Sequence, residues 1–210
     1  MAAFIYPPRP VGKMNPFDLP FYERSGRWVA QRKFNGCRNL VHIRTNGSVA
    51  AFTRDGLPQS TFSNFHVQEI LKYLHLEKGI EYWLDSEIMS KTPNSNKEIV
   101  FYDVLQVDKY LFGGPKLLKR LDILSEICGL PNGLVEDRLA LRISDHLWLA
   151  ETFHNNFVDR FNESLNNPKI EGLVLKKIDS VLDYYGDKYY ETNWLIRCRK
   201  PFSATKGYNL

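Results

Sequence analysis

The sequence predicts an α+β fold, mostly antiparallel sheets with helices set apart from them. Strand-sized apolar segments recur along the chain, and turn dipeptides such as Asn46-Gly47 and Asp55-Gly56 separate them. Helical spacing occurs in a few separate stretches and does not alternate regularly with the strands, which argues against a parallel βαβ sheet. The 210 residues are 43% hydrophobic and 25% charged, enough apolar material for a core, and show no internal repeat.

Residues 1–26 read as a proline-rich arm. Pro7, Pro8, Pro10, Pro16 and Pro20 fix φ and remove backbone donors, so an extended path is expected there rather than a helix. Strands are expected at Trp28 to Lys33, Asn39 to Arg44 and Ser48 to Thr53, the last two joined as a hairpin at Asn46-Gly47. A helix fits 64–75, with Ser63 as N-cap and Phe65, Ile70, Leu71 and Leu74 inward. Strands follow at Tyr82 to Met89 and Ile99 to Gln106, around a polar loop at 91–96. Pro115 opens a second helix with Leu117, Leu121, Leu124 and Ile127 as its apolar face and Gly129 as its stop. A strand at Arg138 to Ile143 and a longer helix from His146 to Leu165 come next, and then strands at Gly172 to Lys176 and Trp194 to Arg199.

No apolar run is long enough to span a membrane, and the N-terminus has no signal-peptide pattern. Cys37, Cys128 and Cys198 are odd in number, widely spaced and without zinc spacing, as suits free thiols in a reducing compartment. A cytoplasmic location follows, the host's if the source is viral, with no membrane partner. The net charge of +4 permits a polyanionic partner without requiring one.

Several segments carry chemistry. Lys33-Phe34-Asn35-Gly36-Cys37-Arg38 sets a lysine at a strand end before a glycine turn, with Arg32 and Arg38 nearby to lower its pKa. Taken alone it reads first as a surface lysine before a turn. Arg54 stands at a strand end beside Asp55-Gly56, suited to an oxyanion or to a solvated hairpin tip. Asp85 and Glu87 share one face of a strand, where they need a sugar hydroxyl, a lysine or a metal, unless that face is wet. Phe101 and Tyr102 offer a ring for stacking on a base, or plain core. Glu171 opens a strand that ends in Lys176-Lys177, and Arg197 and Arg199 share a face that an anion between them would stabilise. Together the segments supply a nucleophile, a stacking ring, acids for ribose and metal, and cations for phosphate.

In order, these segments resemble the motifs of the covalent nucleotidyltransferases: DNA ligases, RNA ligases and mRNA capping enzymes. Lys33 to Gly36 is similar to the family's Lys-x-Asp-Gly. Leu84 to Glu87, Phe101 to Asp103, Glu171 to Lys176 and Trp194 to Lys200 resemble its later motifs. The ATP-dependent DNA ligases resemble the chain most, through Ala51 to Gly56, the helix 117–124 and Tyr185-Gly186. RNA ligases and capping-type guanylyltransferases share the chemistry, and a nucleotide- or nucleic-acid-binding module without turnover is a further alternative.

The resemblance, over about residues 27–202, implies an ATP-grasp-like nucleotidyltransferase (adenylation) domain of antiparallel sheets flanked by helices in 27–210. No OB-fold domain is expected, and a separate clamp or OB-fold partner would replace it. The resemblance implies a monomer that uses ATP and Mg²⁺ (or Mn²⁺) to seal nicks in nucleic acid, DNA ahead of RNA, through a lysyl-AMP on Lys33. It gives Arg38 the nick phosphate or ribose, Arg54 a phosphate, Glu87 the ribose and Tyr102 or Phe101 the adenine face. Gln31 would read the adenine edge, Arg197 and Arg199 grip the α-phosphate, and Glu171 and Asp85 hold the metal. The chain departs from the pattern at Asn35, where the family has Asp, and at Arg197 and Arg199, where it has lysines. Arginine keeps the charge but cannot give up a proton.

Overall fold

The computed structural model describes residues 4–89, 97–110, 114–129, 140–183 and 190–201. The expected loop at 91–96, the first two residues of the expected strand at 138–143, and Tyr185-Gly186 lie outside them; the rest of that strand is described and includes Leu141–Arg142. The strands are β1 (Arg9–Lys13), β2 (Trp28–Phe34), β3 (Cys37–Ile43), β4 (Val49–Thr53), β5 (Tyr82–Ile88), β6 (Ile99–Val107), β7 (Lys109–Tyr110), β8 (Leu141–Arg142), β9 (Leu147–Leu149), β10 (Thr152–Phe153), β11 (Ile170–Lys177) and β12 (Glu191–Arg199). The helices are α1 (Leu19–Arg24), α2 (Asn64–Tyr73), α3 (Leu117–Ile127) and α4 (Phe157–Ser164).

The strands form two sheets, one in the order β1-β12-β11-β2-β10 and the other β4-β3-β5-β6-β9-β8, with β7 beside β6. Pairing is antiparallel throughout except for β1 with β12 and β6 with β9. The expected α+β architecture is therefore the one observed. Helices α1 and α4 cover the outer face of the first sheet, where Leu19, Phe157 and Phe161 meet Ala30, Leu173, Leu175 and Cys198. Helices α2 and α3 cover the outer face of the second, with Ile70, Leu74, Leu124 and Ile127 against Val41, Leu84, Ile88, Ile99 and Phe101.

The two inner faces meet in two apolar plugs. Phe34 and Ile170 of the first sheet pack with Val100 and Trp148 of the second. Trp194 and Leu195 pack with Leu40, Trp83 and Leu105, and Ile5 of the arm joins them. Polar side chains of both sheets line the space around these plugs.

Four expectations are corrected. The arm is extended over β1, but it is docked in the sheet and then forms α1, where Pro20 occupies a first-turn position that needs no backbone donor. Residues 147–153 form two short strands where a helix from His146 is expected. Leu147 and Leu149 enter one core while Trp148 and Ala150 enter another, so an unbroken apolar run conceals a two-residue period. The helix starts only after Asn156 (φ 58°), where the Glu23 carboxylate accepts from the Asn156 and Phe157 amides. In α2, Phe65 and Leu71 are exposed, because His66, Ile70 and Leu74 form the inward stripe. The Ser63 cap holds, with His66 Nδ1 accepting from the Ser63 amide 3.1 Å away. In α3, Arg120 is fully buried and Leu121 only half-buried, since Arg120 pairs with Asp103 at 3.1 Å beneath the second sheet.

Gly172 sets the spacing of the first sheet. Its φ is +136°, and a Cβ there would sit 2.1 Å from the Cys198 carbonyl oxygen on β12. Gly172→Ala is expected to cost more than about 2 kcal/mol of stability. Urea unfolding measures this, and a wild-type midpoint in the variant would contradict the close approach.

Candidate functional site

The inner faces enclose a cleft of about 630 Å³. Strand alternation selects what lines it. On β2, Gln31 and Lys33 face the cleft; on β11, Val174 and Lys176; on β12, Leu195, Arg197 and Arg199; on β5, Asp85 and Glu87. Arg38 of β3, Arg54 and Asp55 beyond β4, Tyr102 of β6 and Glu171 complete the walls, and Pro8, Arg9 and Pro10 of the arm close one side.

Gln31, Lys33, Arg38, Arg54, Asp85, Glu87, Tyr102, Glu171, Arg197 and Arg199 all reach this cleft, and Phe101 does not. Phe101 is fully buried in the core of the second sheet, and a register shift between Asp85 and Ser86 marks where Tyr102 turns to the cleft instead. Arg32 also corrects an expectation. It is beside Lys33 in sequence but on the opposite face, bonded to Glu151 (3.1 Å) and Glu163 (2.9 Å) and stacked on Phe153. It cannot act as the cation expected to depress the Lys33 pKa.

Lys33 Nζ lies 2.6 Å from Glu171 Oε2, and Arg199 Nε reaches the same oxygen at 3.4 Å. Glu87 lies on the other side of the Lys33–Gly36 turn and accepts from the Gly36 amide at 3.1 Å. The turn fits there because Gly36 has no side chain; a Cβ would lie 2.4 Å from the Ile88 carbonyl oxygen and 2.8 Å from Glu87 Cγ. Burial pushes the Glu87 carboxyl up to about 7, against the pull of Lys33, Arg38 and the Gly36 amide, and Glu171 adds to the rise.

Asp85 corrects a further expectation. It is almost fully buried, and Arg38 holds both its oxygens, with Nε to Oδ1 at 2.9 Å and Nη2 on Oδ2. A carboxylate taken bidentately by a guanidinium is not presented to a metal. Burial opposes the Arg38 charge, but Asp85, Tyr102 and Glu87 more than offset this and its pKa is raised. Arg38 also donates to the Pro8 carbonyl at 2.7 Å, and Arg197 to the Pro10 carbonyl at 3.2 Å. The arm is thus stitched to both sheets.

Two lining cations have no site role in the sequence reading, although Lys176 is named there as a strand-end cation. Arg9 pairs with Asp55 at 2.7 Å and so links the arm to the second sheet. Lys176 donates to the Tyr102 carbonyl at 2.8 Å, lies 3.8 Å from Asp103 and sits 5.2 Å from the centre of the Tyr102 ring. Burial lowers its pKa to about 8, against the pull of Asp103 and Asp85. Strand alternation two residues after Val174 was a signal for Lys176; nothing in the arm's composition signalled Arg9. Gln31 lies in the cleft with its Nε2 donating to Thr152 Oγ1 at 3.0 Å. Among the described residues, no three His, Cys, Asp or Glu gather as a metal cage.

No family model matches the chain, and no curated protein matches it by sequence. Solved structures match by fold. The ATP-dependent DNA ligase from bacteriophage T7, in complex with ATP, has a TM-score of 0.59 at 10% identity, over 92% of this chain and 68% of that one. A mycobacterial DNA ligase D complexed with ATP and MES gives 0.57 at 16%, over 83% of this chain and 55% of that one. A Lig E DNA ligase gives 0.52 at 11%, over 93% and 70%. The chain spans about half the length of the first solved structures it matches, 46% and 55%. The fold is the one found in these ligases. Among the described residues, no helix is long and apolar enough to cross a membrane.

The raised Glu87 pKa has a signed consequence for stability. Below the ordinary carboxylate pKa of 4.5, Glu87 is protonated folded or unfolded and costs nothing; above about 7 it is ionised in both states and the burial penalty is complete. Glu87→Gln, which keeps an acceptor for Gly36, is expected to unfold at a higher temperature than wild type at pH 8. That advantage should vanish as pH falls to 4.5. A pH-independent difference in Tm would contradict the assignment.

Proposed function

We propose that this chain is an ATP-dependent polynucleotide ligase that seals nicks in DNA through a covalent AMP on Lys33. The placement of Lys33 carries the reading: its amine enters a cleft with Glu171 and Arg199 on one side and the Gly36 turn and Glu87 on the other. The likeness of the fold to DNA ligases solved with ATP supports ATP and DNA over other partners.

The chemistry is three phosphoryl or nucleotidyl transfers at one cleft. Lys33 first gives up a proton, and Glu171 Oε2 is the nearest acceptor. The free amine attacks the α-phosphorus of ATP; an N–P bond forms, the α–β bridging P–O bond breaks, and pyrophosphate leaves with the electron pair. A 5′-phosphate oxygen of the nicked strand then attacks the same phosphorus. The N–P bond breaks and Lys33 recovers a proton. Last, the 3′-hydroxyl loses its proton and attacks the 5′-phosphate, expelling AMP as the strand closes.

Positioning and charge neutralisation supply most of the rate in such transfers. Arg197 and Arg199 would grip the α-phosphate, Arg54 another phosphate, and Arg38 the ribose or nick phosphate from its buried pair with Asp85. Tyr102 would offer its ring to adenine, Gln31 its amide to the adenine edge, and Glu87 a bond to the ribose. Mg²⁺ (or Mn²⁺) commonly binds one or two carboxylates plus substrate phosphates rather than a protein cage. Glu171, close enough to Glu87 to raise the Glu87 pKa, suits that donor set; Asp85, held by Arg38, does not. There the ion would neutralise phosphate charge.

Incubation with α-labelled ATP and Mg²⁺ or Mn²⁺, then denaturing electrophoresis, tests the reading. The expected result is a protein-bound label from ATP that is lost in Lys33→Ala and released by nicked DNA. A label from GTP alone would indicate a guanylyltransferase. No label from either nucleotide with either metal would end the enzymatic reading. Sealing of nicked RNA in preference to DNA would reassign the substrate.

A further inference from the structure

Asn35 stands inside the Lys33–Gly36 turn, yet its neighbours Phe34, Gly36 and Cys37 line the cleft and it does not. Its side chain faces the segment between α4 and β11. Nδ2 donates to the Pro168 carbonyl at 3.1 Å, and the Asn35 amide donates to the Lys169 carbonyl at 2.8 Å. The same segment is held from its other side. Lys200 Nζ donates to the carbonyls of Ser164 (3.2 Å), Leu165 (3.4 Å) and Asn167 (2.9 Å), and the Lys200 amide donates to Glu171 O at 3.0 Å. Within the segment, Asn167 Oδ1 accepts from the Lys169 amide at 2.9 Å.

Residues 164–169 therefore form a shared block. Asn35 ties the end of β2 to it, Lys200 ties the end of β12 to it, and β11 leaves it directly into Glu171. These three strand ends carry Lys33, Arg199 and Glu171, which meet at one oxygen.

We propose that Asn35 is a positioning residue whose donated hydrogen bond to Pro168 fixes Lys33 against Glu171 and Arg199, so that aspartate at this position impairs the site instead of improving it. An ionised aspartate has no donor and would set a second acceptor against the Pro168 carbonyl, whereas the Asn35 amide satisfies it. The proposal rests on the reading of Lys33 as the residue that carries the nucleotide.

The test compares wild type, Asn35→Ala and Asn35→Asp in two measurements. The first is the rate of protein labelling by α-labelled ATP; the second is hydrogen exchange of segments 33–37 and 164–170 without nucleotide. The expected order of labelling rate is wild type, then Asn35→Ala, then Asn35→Asp, the last down by about tenfold or more at pH 8. The KM for ATP should stay unchanged, because Asn35 does not line the cleft. The Asn35→Asp defect should narrow as pH falls toward its carboxyl pKa, where protonation restores a donor. Both segments should exchange faster in both variants.

An Asn35→Asp protein that labels as fast as wild type, or faster than Asn35→Ala, would overturn the proposal and place an acid's role at this position. Unchanged exchange in both variants would overturn it whatever the labelling. Faster exchange with no label on wild type would leave the tie standing and remove the reading of Lys33.

Discussion

Two backbone approaches that only glycine permits set the geometry of the cleft. Gly36 brings the turn after β2 against β5, and Gly172 brings β11 against β12. On either side of Lys33, therefore, the chain has no side chain to keep the strands apart. Glu87 arrives with β5 and Glu171 with β11, and Lys33 and Glu171 come close enough to act on the Glu87 carboxyl. The outer helices and the two apolar plugs hold the sheets in this relation, but the close contacts are made by backbone.

Much of the site was legible because a strand has a period of two. Once Lys33 is on the inner face, Gln31 must be; the same rule pairs Arg197 with Arg199 and Asp85 with Glu87. The rule fails where register shifts or where sequence neighbours are mistaken for spatial ones. The irregularity beside Ser86 gives the cleft Tyr102 and sends Phe101 to the core. Arg32 touches Lys33 in sequence and faces away from it in space. The helix expected from His146 failed for a different reason. A run such as Leu147-Trp148-Leu149-Ala150, apolar at every position, looks alike to helix and strand when both of its faces are covered. Arg9 was invisible because proline content shows that an arm is extended but not where it docks.

The charges around the cleft divide into those closed in buried pairs and those less committed to a single partner. Asp103 is held below the usual carboxylate range: burial works against its charge, but Arg120 and Lys176 outweigh it. Arg38 and Asp85 form a second closed pair. Removing one partner from such a pair strands a buried charge, so these residues support the walls whatever else they contact. Lys33, Glu171, Glu87, Arg54, Arg197 and Arg199 are less committed, and it is this group that the proposed chemistry uses.

The arginines at 197 and 199 narrow the choice of nucleophile. Arginine stays protonated, so neither residue can supply a neutral nitrogen to phosphorus. Among the described residues, the lysines that line the cleft are Lys33 and Lys176. Burial lowers the Lys176 pKa to about 8, but its amine is bonded to the Tyr102 carbonyl and close to Asp103, four residues along β11 from the Gly172 that pairs with Lys33. Among the described residues, Lys33 is the lysine placed between the acids and Arg199. In the proposed chemistry, permanent charge sits where an anion would be gripped, and proton loss falls to the residue beside the nearest acceptor.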